Sequence, residues 1–222
     1  HASSRVPDDV DLGIDKSLLS KHIAVDIGVA EVAEYMVAGG HADAGILGGV
    51  SRLVLDCNRD VDAAGLIPAT SDGHEIMGNR LDAAERAERI SRFFTPYHAK
   101  IAEILHEVRP TMILSLHSFT PELESDPDQL RPWHVGVLYN EDARLAKVAI
   151  ASLEAEGLCV GDQHPYSGKI LNATMNRHAE GNGIPYIGIE LRQDLAATTA
   201  QNALWAERLG RMCAKAKLIV AP

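Results

Sequence analysis

Met112-Ile113-Leu114-Ser115-Leu116-His117-Ser118-Phe119-Thr120-Pro121 is an apolar run that stops at an imidazole and continues into hydroxyl residues and a proline. Met112 to Leu116 has the length and composition of a buried strand, and Ser118 to Pro132, with three prolines, reads as the loop beyond it. Such a strand delivers His117 to its carboxyl end. The same form recurs in Ile184-Pro185-Tyr186-Ile187-Gly188-Ile189, which Glu190 interrupts ahead of Leu191 and Arg192. It recurs again in Arg52-Leu53-Val54-Leu55-Asp56, read as a short strand that presents Cys57, Asn58 and Arg59. Trp133 to Tyr139 returns to strand character, and Val160 to Ser167 passes into a His-Pro-Tyr-Ser-Gly turn.

Helical patterns separate these runs. Val25 to Val37 carries Ile27, Val29, Ala30, Val32, Ala33 and Met36 on one stripe, closed by Gly39-Gly40. Leu81 to Val108 is a long helical segment that Pro96 is expected to kink or restart. Asp142 to Glu156, Leu171 to Gly181 and Gln201 to Lys215 complete the helices, and Leu218 to Val220 is expected to close the sheet. Asp60 to Arg80, rich in Gly, Pro, Asp and Asn, reads as a long functional loop of the kind that forms lids. Strands alternating with helices predict an α/β fold, a three-layer αβα arrangement around a mostly parallel mixed sheet. Ligands of such sheets gather at the carboxyl ends of strands, which is where His117, Glu190, Asn58 and Arg59 fall.

The 222 residues are expected to form one domain spanning 1–222, and with 46% hydrophobic and 23% charged residues they can build a core without disulfides. A formal net charge of −10 and the lack of Lys/Arg clusters argue against nucleic acid as a partner. If the substrate is a carboxylate, local arginines must overcome that acidic field. Three widely spaced cysteines fit neither a disulfide framework nor a metal knuckle, so a reducing cytoplasm is the expected setting. No apolar run of about 18 residues predicts a membrane span, and no signal peptide is recognised at the start. The chain begins with His1 rather than Met, and a ligand there would sit on a fraying end unless residues precede it.

Neutral imidazole is the commonest zinc donor, and a strand end fixes its direction, which makes His117 a candidate ligand; the alternative is a hydrogen-bonded core histidine. Burying the Glu190 carboxylate costs several kcal/mol unless it is paired or does chemistry. It reads either as an ion-pair partner of a neighbouring arginine or as a general base. Asn58 and Arg59 place an amide and a guanidinium where they can grip a substrate carboxylate; the alternative is an arginine that tethers its loop.

Taken in order, several stretches make this chain resemble the N-formylglutamate amidohydrolase branch of the zinc carboxypeptidase superfamily. They are His1-Ala2-Ser3-Ser4-Arg5-Val6-Pro7, His22-Ile23-Ala24-Val25-Asp26-Ile27-Gly28, Ser51 to Arg59, Ser71-Asp72-Gly73, Pro96-Tyr97-His98, His117 to Pro121, Arg131-Pro132-Trp133 and Glu190 to Asp194. The resemblance implies a phosphorylase/hydrolase-like fold of the zinc carboxypeptidase type. It implies one Zn2+ per chain, His1 and His117 as metal ligands, Glu190 as the catalytic glutamate, and Asn58 and Arg59 as the carboxylate grip, with Arg131 and Arg192 as further contacts or, alternatively, as structural partners of Asp56, Glu190 or Asp194. The substrate implied is a small N-acyl amino acid, N-formyl-L-glutamate by family, in histidine degradation. A deacylase or carboxypeptidase on another N-acyl amino acid or short peptide, and a non-catalytic carboxylate binder of the same fold, are the alternatives. The carboxypeptidase His-x-x-Glu pair is broken here by Ser4. Asp26 is the candidate third ligand, set against a role as the N-cap of the first helix. His98 and His164 are further candidates, with His98, seven residues before Leu105 on a helical pattern, equally able to line the core, whereas His22, His41, His106 and His178 read as surface or capping residues.

Overall fold

Residues 1–220 are described by the structure, a computed structural model. Its helices are α1 (Val29–Ala38), α2 (Ala83–Arg89), α3 (Thr95–Val108), α4 (Arg144–Glu154), α5 (Ala173–His178) and α6 (Thr199–Val220). The strands are β1 (Thr70–Ser71), β2 (His74–Glu75), β3 (Ile113–Phe119), β4 (Val135–Leu138), β5 (Val160–Asp162) and β6 (Tyr186–Arg192). The main sheet runs β3-β6-β4-β5, with β3 and β6 parallel, β4 and β5 parallel, and β6 antiparallel to β4. The mixed, mostly parallel sheet with helices packed on it is the αβα architecture expected from the alternation of patterns.

Side-chain alternation divides the sheet. Ile187, Ile189 and Leu191 of β6 join Val135 and Val137 of β4 in the main core, which packs on α1, α4 and α6 through Val32, Leu145, Leu153, Trp205 and Leu209. The opposite face carries Tyr186, which packs with Met175 and Ala179 of the α5 region and with Ile113. Glu190 and His117 belong to this second face: they are register partners on adjacent parallel strands, in step with Tyr186 and Ile113. Across β3 and β6 the first face is apolar except for Ser118, the register partner of Leu191, and the second is apolar at the amino ends and carries His117 and Glu190 toward the carboxyl ends.

Two expectations are corrected. Arg52 to Asp56 is not a strand but a buried turn, in which the Val54 and Leu55 amides both donate to the Ser51 carbonyl. Its apolar triplet splits between two clusters, Leu53 and Val54 packing with Leu12, Ile23 and Ile76, and Leu55 with Leu66 and Phe94. Burial on both sides gives a turn the composition of a strand. Leu218 to Val220 does not add to the sheet but ends α6, whose buried stripe at Leu209, Met212, Cys213 and Ala216 keeps helical spacing up to that point. The long helical segment restarts at Pro96, as expected. A π-helical stretch, Ile90–Phe94, joins α2 to α3, and the proline lies in the first turn of α3, where no helical hydrogen bond requires its missing N–H. Asp60 to Arg80 is largely irregular, as read, and contains the hairpin β1-β2, which turns at Asp72-Gly73 with both residues in the left-handed region.

Candidate active site

The carboxyl ends of β3 and β6 face the first segment of the chain. His1 is held there by its own backbone, its carbonyl accepting from the Asp26 amide at 2.9 Å, and its ring is almost wholly buried. The His1 and His117 rings lie 5.0 Å apart, centre to centre. Asp26 sits between them, its Oδ2 accepting from His117 Nδ1 at 2.8 Å and from His1 Nδ1 at 3.2 Å. One ligand atom from each of His1, Asp26 and His117 lies within 4.8 Å of the others. Ser4 is exposed and outside this group.

Local backbone explains why Asp26 is free for this. The N-cap of α1 is Gly28, with φ 84°, so Asp26 does not cap the helix. A Cβ on Gly28 would come within 2.2 Å of the Ala196 carbonyl oxygen, so only glycine lets this turn pack against the segment that follows β6. A second glycine frames Glu190. Gly136 is its partner on β4, and a Cβ there would lie 3.3 Å from the Glu190 Cβ and 2.1 Å from the His164 carbonyl oxygen.

Two residues outside the expected set complete the centre. The Arg52 guanidinium donates to Asp26 Oδ1 and to Asp56 Oδ2, both at 3.0 Å, while Asp56 Oδ1 accepts from His1 Nε2 at 2.6 Å. Because a carboxylate can only accept, Asp56 fixes the proton on Nε2 and turns His1 Nδ1 toward Asp26. Burial disfavours the charge on both aspartates, yet His1 and Arg52 outweigh it and hold both well below the ordinary carboxylate range. Burial and Arg52 press the His1 pKa down, but Asp56 and Asp26 prevail and raise it to about 9.

Glu190 is the reverse case. It is 8% exposed and its Oε2 meets no hydrogen-bond partner among the described residues. Burial, reinforced by the charge of Asp26, raises its pKa to about 8 against the pull of Arg52, His1 and Arg131.

The two imidazoles and the Asp26 carboxylate fit a catalytic zinc: two histidines and one carboxylate are a common donor set for such an ion, one oxygen already faces two ring nitrogens, and Asp56 stands behind one histidine as an orienting acceptor. Of the anticipated carboxylate contacts, Arg131 is buried, donates to Tyr166 Oη at 3.0 Å, and keeps Nε without a partner among the described residues. Asn58 Oδ1 accepts from the Thr174 amide, and Arg59 donates to the Asn58 carbonyl and lies 3.6 Å from Asp56. Arg192 is drawn aside: Asp194 takes its guanidinium at 2.8 and 3.2 Å, and the Pro132 carbonyl accepts from it as well. His98 and His178 are brought together instead, stacked and buried, with His98 Nδ1 2.8 Å from His178 Nε2 and His98 Nε2 3.1 Å from the Cys57 carbonyl. His178 is therefore neither a surface nor a capping residue.

A family profile described as N-formylglutamate amidohydrolase matches residues 1–197. The gene product Atu2144 of Agrobacterium tumefaciens has a crystal structure that superposes with a TM-score of 0.87 at 32% identity, covering 98% of this chain and 88% of that one. The N-formylglutamate amidohydrolase of Ralstonia eutropha JMP134 superposes with a TM-score of 0.71 at 18% identity, covering 99% and 91%. No curated protein matches the chain.

Proposed function

Because the chain belongs to the N-formylglutamate amidohydrolase family, a family of hydrolases, we propose that it cleaves the amide bond of an N-acyl amino acid. N-formyl-L-glutamate is the substrate of the family name, and formate or the corresponding acid and the amino acid are the products. The reading rests above all on one observation: a buried carboxyl, Glu190, whose Oε2 has no partner among the described residues, beside a cluster of two histidines and an aspartate able to take a cation.

In this reading His1, Asp26 and His117 would hold one zinc ion per chain. Zinc, when bound, supplies Lewis acidity toward the amide carbonyl and an attacking water. Glu190 accepts the proton of that water on its free oxygen and passes it to the leaving nitrogen. Desolvation favours both halves of this task, making the carboxylate a stronger base and letting its protonated form persist near neutrality. Asp56 and Arg52 keep His1 and Asp26 in place. Arg131, through its free Nε, and Asn58 with Arg59 grip the substrate carboxylate, each offering a planar donor edge. Arg192 acts with them only if Asp194 releases it. A cytoplasmic setting and a role in histidine degradation belong to the same reading; the three free thiols are consistent with the first, and among the described residues no helix is long and apolar enough to cross a membrane.

The test is zinc stoichiometry on purified protein together with turnover of N-acyl amino acids by the native chain and by Glu190→Gln. We expect one zinc per chain and a fall in kcat of about 10²–10⁴-fold, the usual contribution of a general base. Unchanged metal-dependent turnover in the variant would overturn the assignment of Glu190, and no zinc at all would favour a carboxylate-binding protein of the same fold.

A further inference from the structure

A cavity of about 420 Å³ reaches His1 and His117 from the side away from Glu190. Its walls come from α1, α3, the outer edge of β3 and the irregular segment 42–50. The β3 edge explains the space. β3 is the end strand of the sheet, and its residues from Ile113 to His117 are only half-buried although Ile113, Leu114 and Leu116 are apolar. The volume lies within the ~300–1,000 Å³ typical of small-molecule sites.

The chemistry of the walls selects an occupant. Ala33, Leu55, Tyr97, Ile101, Leu116 and Met175 make the lining apolar. The arginines and lysine that touch the cavity, Arg5, Arg92 and Lys217, are all exposed, and Arg5 and Arg92 are already engaged with the Gly49 carbonyl and with Asp9. A carboxylate carried into this space would lose its hydration with no buried arginine or lysine to meet it, and His1, at one end, is already held by Asp26 and Asp56, so the side chain of glutamate is a poor fit. Of the carboxylate contacts only Asn58 lines it, an uncharged amide whose Oδ1 is taken by the Thr174 amide, whereas Arg59, Arg131 and Arg192 do not. The centre therefore has a cationic side, toward Arg131 and Glu190, and an apolar side, toward β3 and α3.

We propose, resting on the amide-hydrolase reading above, that this cavity is the acyl subsite, and that the preferred substrates are N-acyl amino acids with a medium-length, unbranched apolar acyl chain rather than a formyl group. The scissile amide lies at His1 and His117, the acyl chain enters along β3, and the amino-acid carboxylate stays with Arg131. The oxygen of water bonds to the acyl carbon, the C–N bond breaks, one proton of water passes to the amine nitrogen, and the fatty acid released loses its own proton to solvent.

Two measurements test this. The first is kcat/KM of the zinc-loaded protein for N-formyl-, N-acetyl-, N-butanoyl- and N-octanoyl-L-glutamate. The second is calorimetric binding of N-octanoyl- and N-formyl-L-glutamate to metal-free protein, which needs no turnover. Each buried methylene is worth about three- to fourfold, so we expect kcat/KM to rise about a hundredfold or more from formyl to octanoyl. Binding of the octanoyl compound should be at least about tenfold tighter on the same scale. Ile101→Trp and, as a milder change, Ala33→Leu should each lower the octanoyl-to-formyl ratio in both measurements. Cleavage of the formyl substrate with neither cleavage nor binding of the octanoyl one would overturn the subsite and leave the hydrolase reading intact. Octanoyl binding that Ile101→Trp abolishes, with no substrate cleaved, would support the subsite and overturn the hydrolase reading. An octanoyl-to-formyl ratio that both variants leave unmoved would overturn the subsite.

Discussion

Replacing Glu190 by Gln should remove activity and, at the same time, stabilise the metal-free fold at neutral to alkaline pH. The carboxyl is buried, its Oε2 has no partner among the described residues, and its pKa rises from the ordinary 4.5 to about 8 through burial and the nearby charge of Asp26. Between those two values the folded chain holds a proton that the unfolded chain has released. Stability must therefore fall as pH rises through the window, the loss beginning above 4.5 and levelling off above about 8. At about 1.4 kcal/mol per pH unit the cost of ionising this group is on the order of 3 kcal/mol at pH 7, and ~5 kcal/mol once the pH exceeds the folded value. Glutamine has the same shape and no charge to lose. An unpaired amide costs ~1–3 kcal/mol of its own, but that cost does not vary with pH. The assay is urea unfolding of metal-stripped native protein and variant at pH 5 and pH 8. The gap between the two should move by several kcal/mol in favour of Glu190→Gln on going to pH 8. A gap that stays constant, or moves the other way, would mean that the carboxyl is solvated or paired, and the argument for a strong base at this position would fail.

Arg52→Gln should cost the metal-free protein about 3–5 kcal/mol by the same unfolding assay, because it strips two buried carboxylates of a shared partner; a loss below ~1 kcal/mol would show that the clamp is not formed. Asp26→Asn should weaken zinc binding by more than about 100-fold in chelator competition, beyond the 10–100-fold typical of groups that only orient ligands, and unaltered affinity would remove Asp26 from the site. Burial, then the charges of His178 and Arg177, lowers the His98 pKa to about 4, so the fold excludes a proton that the unfolded chain binds below about 6.5, and stability should fall with pH across that window. His98→Leu should make the decline between pH 7 and 4.5 shallower in urea titrations, and an unchanged slope would show that His98 is not kept neutral.

His117 and Glu190 were legible because each is an expensive polar group at the end of an apolar run, a signal carried by neighbouring letters alone. The strand periods around them place both on one sheet face, and only the sheet order makes them register partners. Arg52 and Asp56 were misread with their segment. In a strand, positions four apart are separated by ~13 Å, too far for one guanidinium to reach the next carboxylate. In a turn they meet at 3.0 Å. Opposite charges four apart around an apolar triplet were the available sign that the chain folds back there. The sequence left Asp26 between two roles because Asp suits a helix start and a metal equally; the left-handed Gly28 takes the helix start and separates them. His98 and His178 could not be paired from sequence, since nothing local links residues eighty positions apart that meet across the packing of α3 on α5.

The charges of the centre explain why these residues belong together. Asp26, Asp56 and Glu190 are three buried carboxyls; Arg52 acts on all three, Arg59 lies beside Asp56, Arg131 acts on Glu190, and His1 is charged only when both of its nitrogens carry protons. Asp26 and Asp56 hold Arg52 and His1 by direct hydrogen bonds, so for Glu190 its own desolvation and the charge of Asp26 outweigh the pull of Arg52, His1 and Arg131. A lone carboxyl in that position is a standing cost to the fold, because an apolar residue there would extend the β6 core without penalty. One more positive charge between His1, Asp26 and His117 reverses the balance, offsetting the repulsion from Asp26 at the point where Glu190 must become a base. The acidic body works in the same direction, its net charge of −10 drawing cations toward the centre and resisting anionic substrates. That resistance is least for a substrate with a single carboxylate set against Arg131 and an uncharged remainder, the form of molecule the apolar side of the centre accommodates.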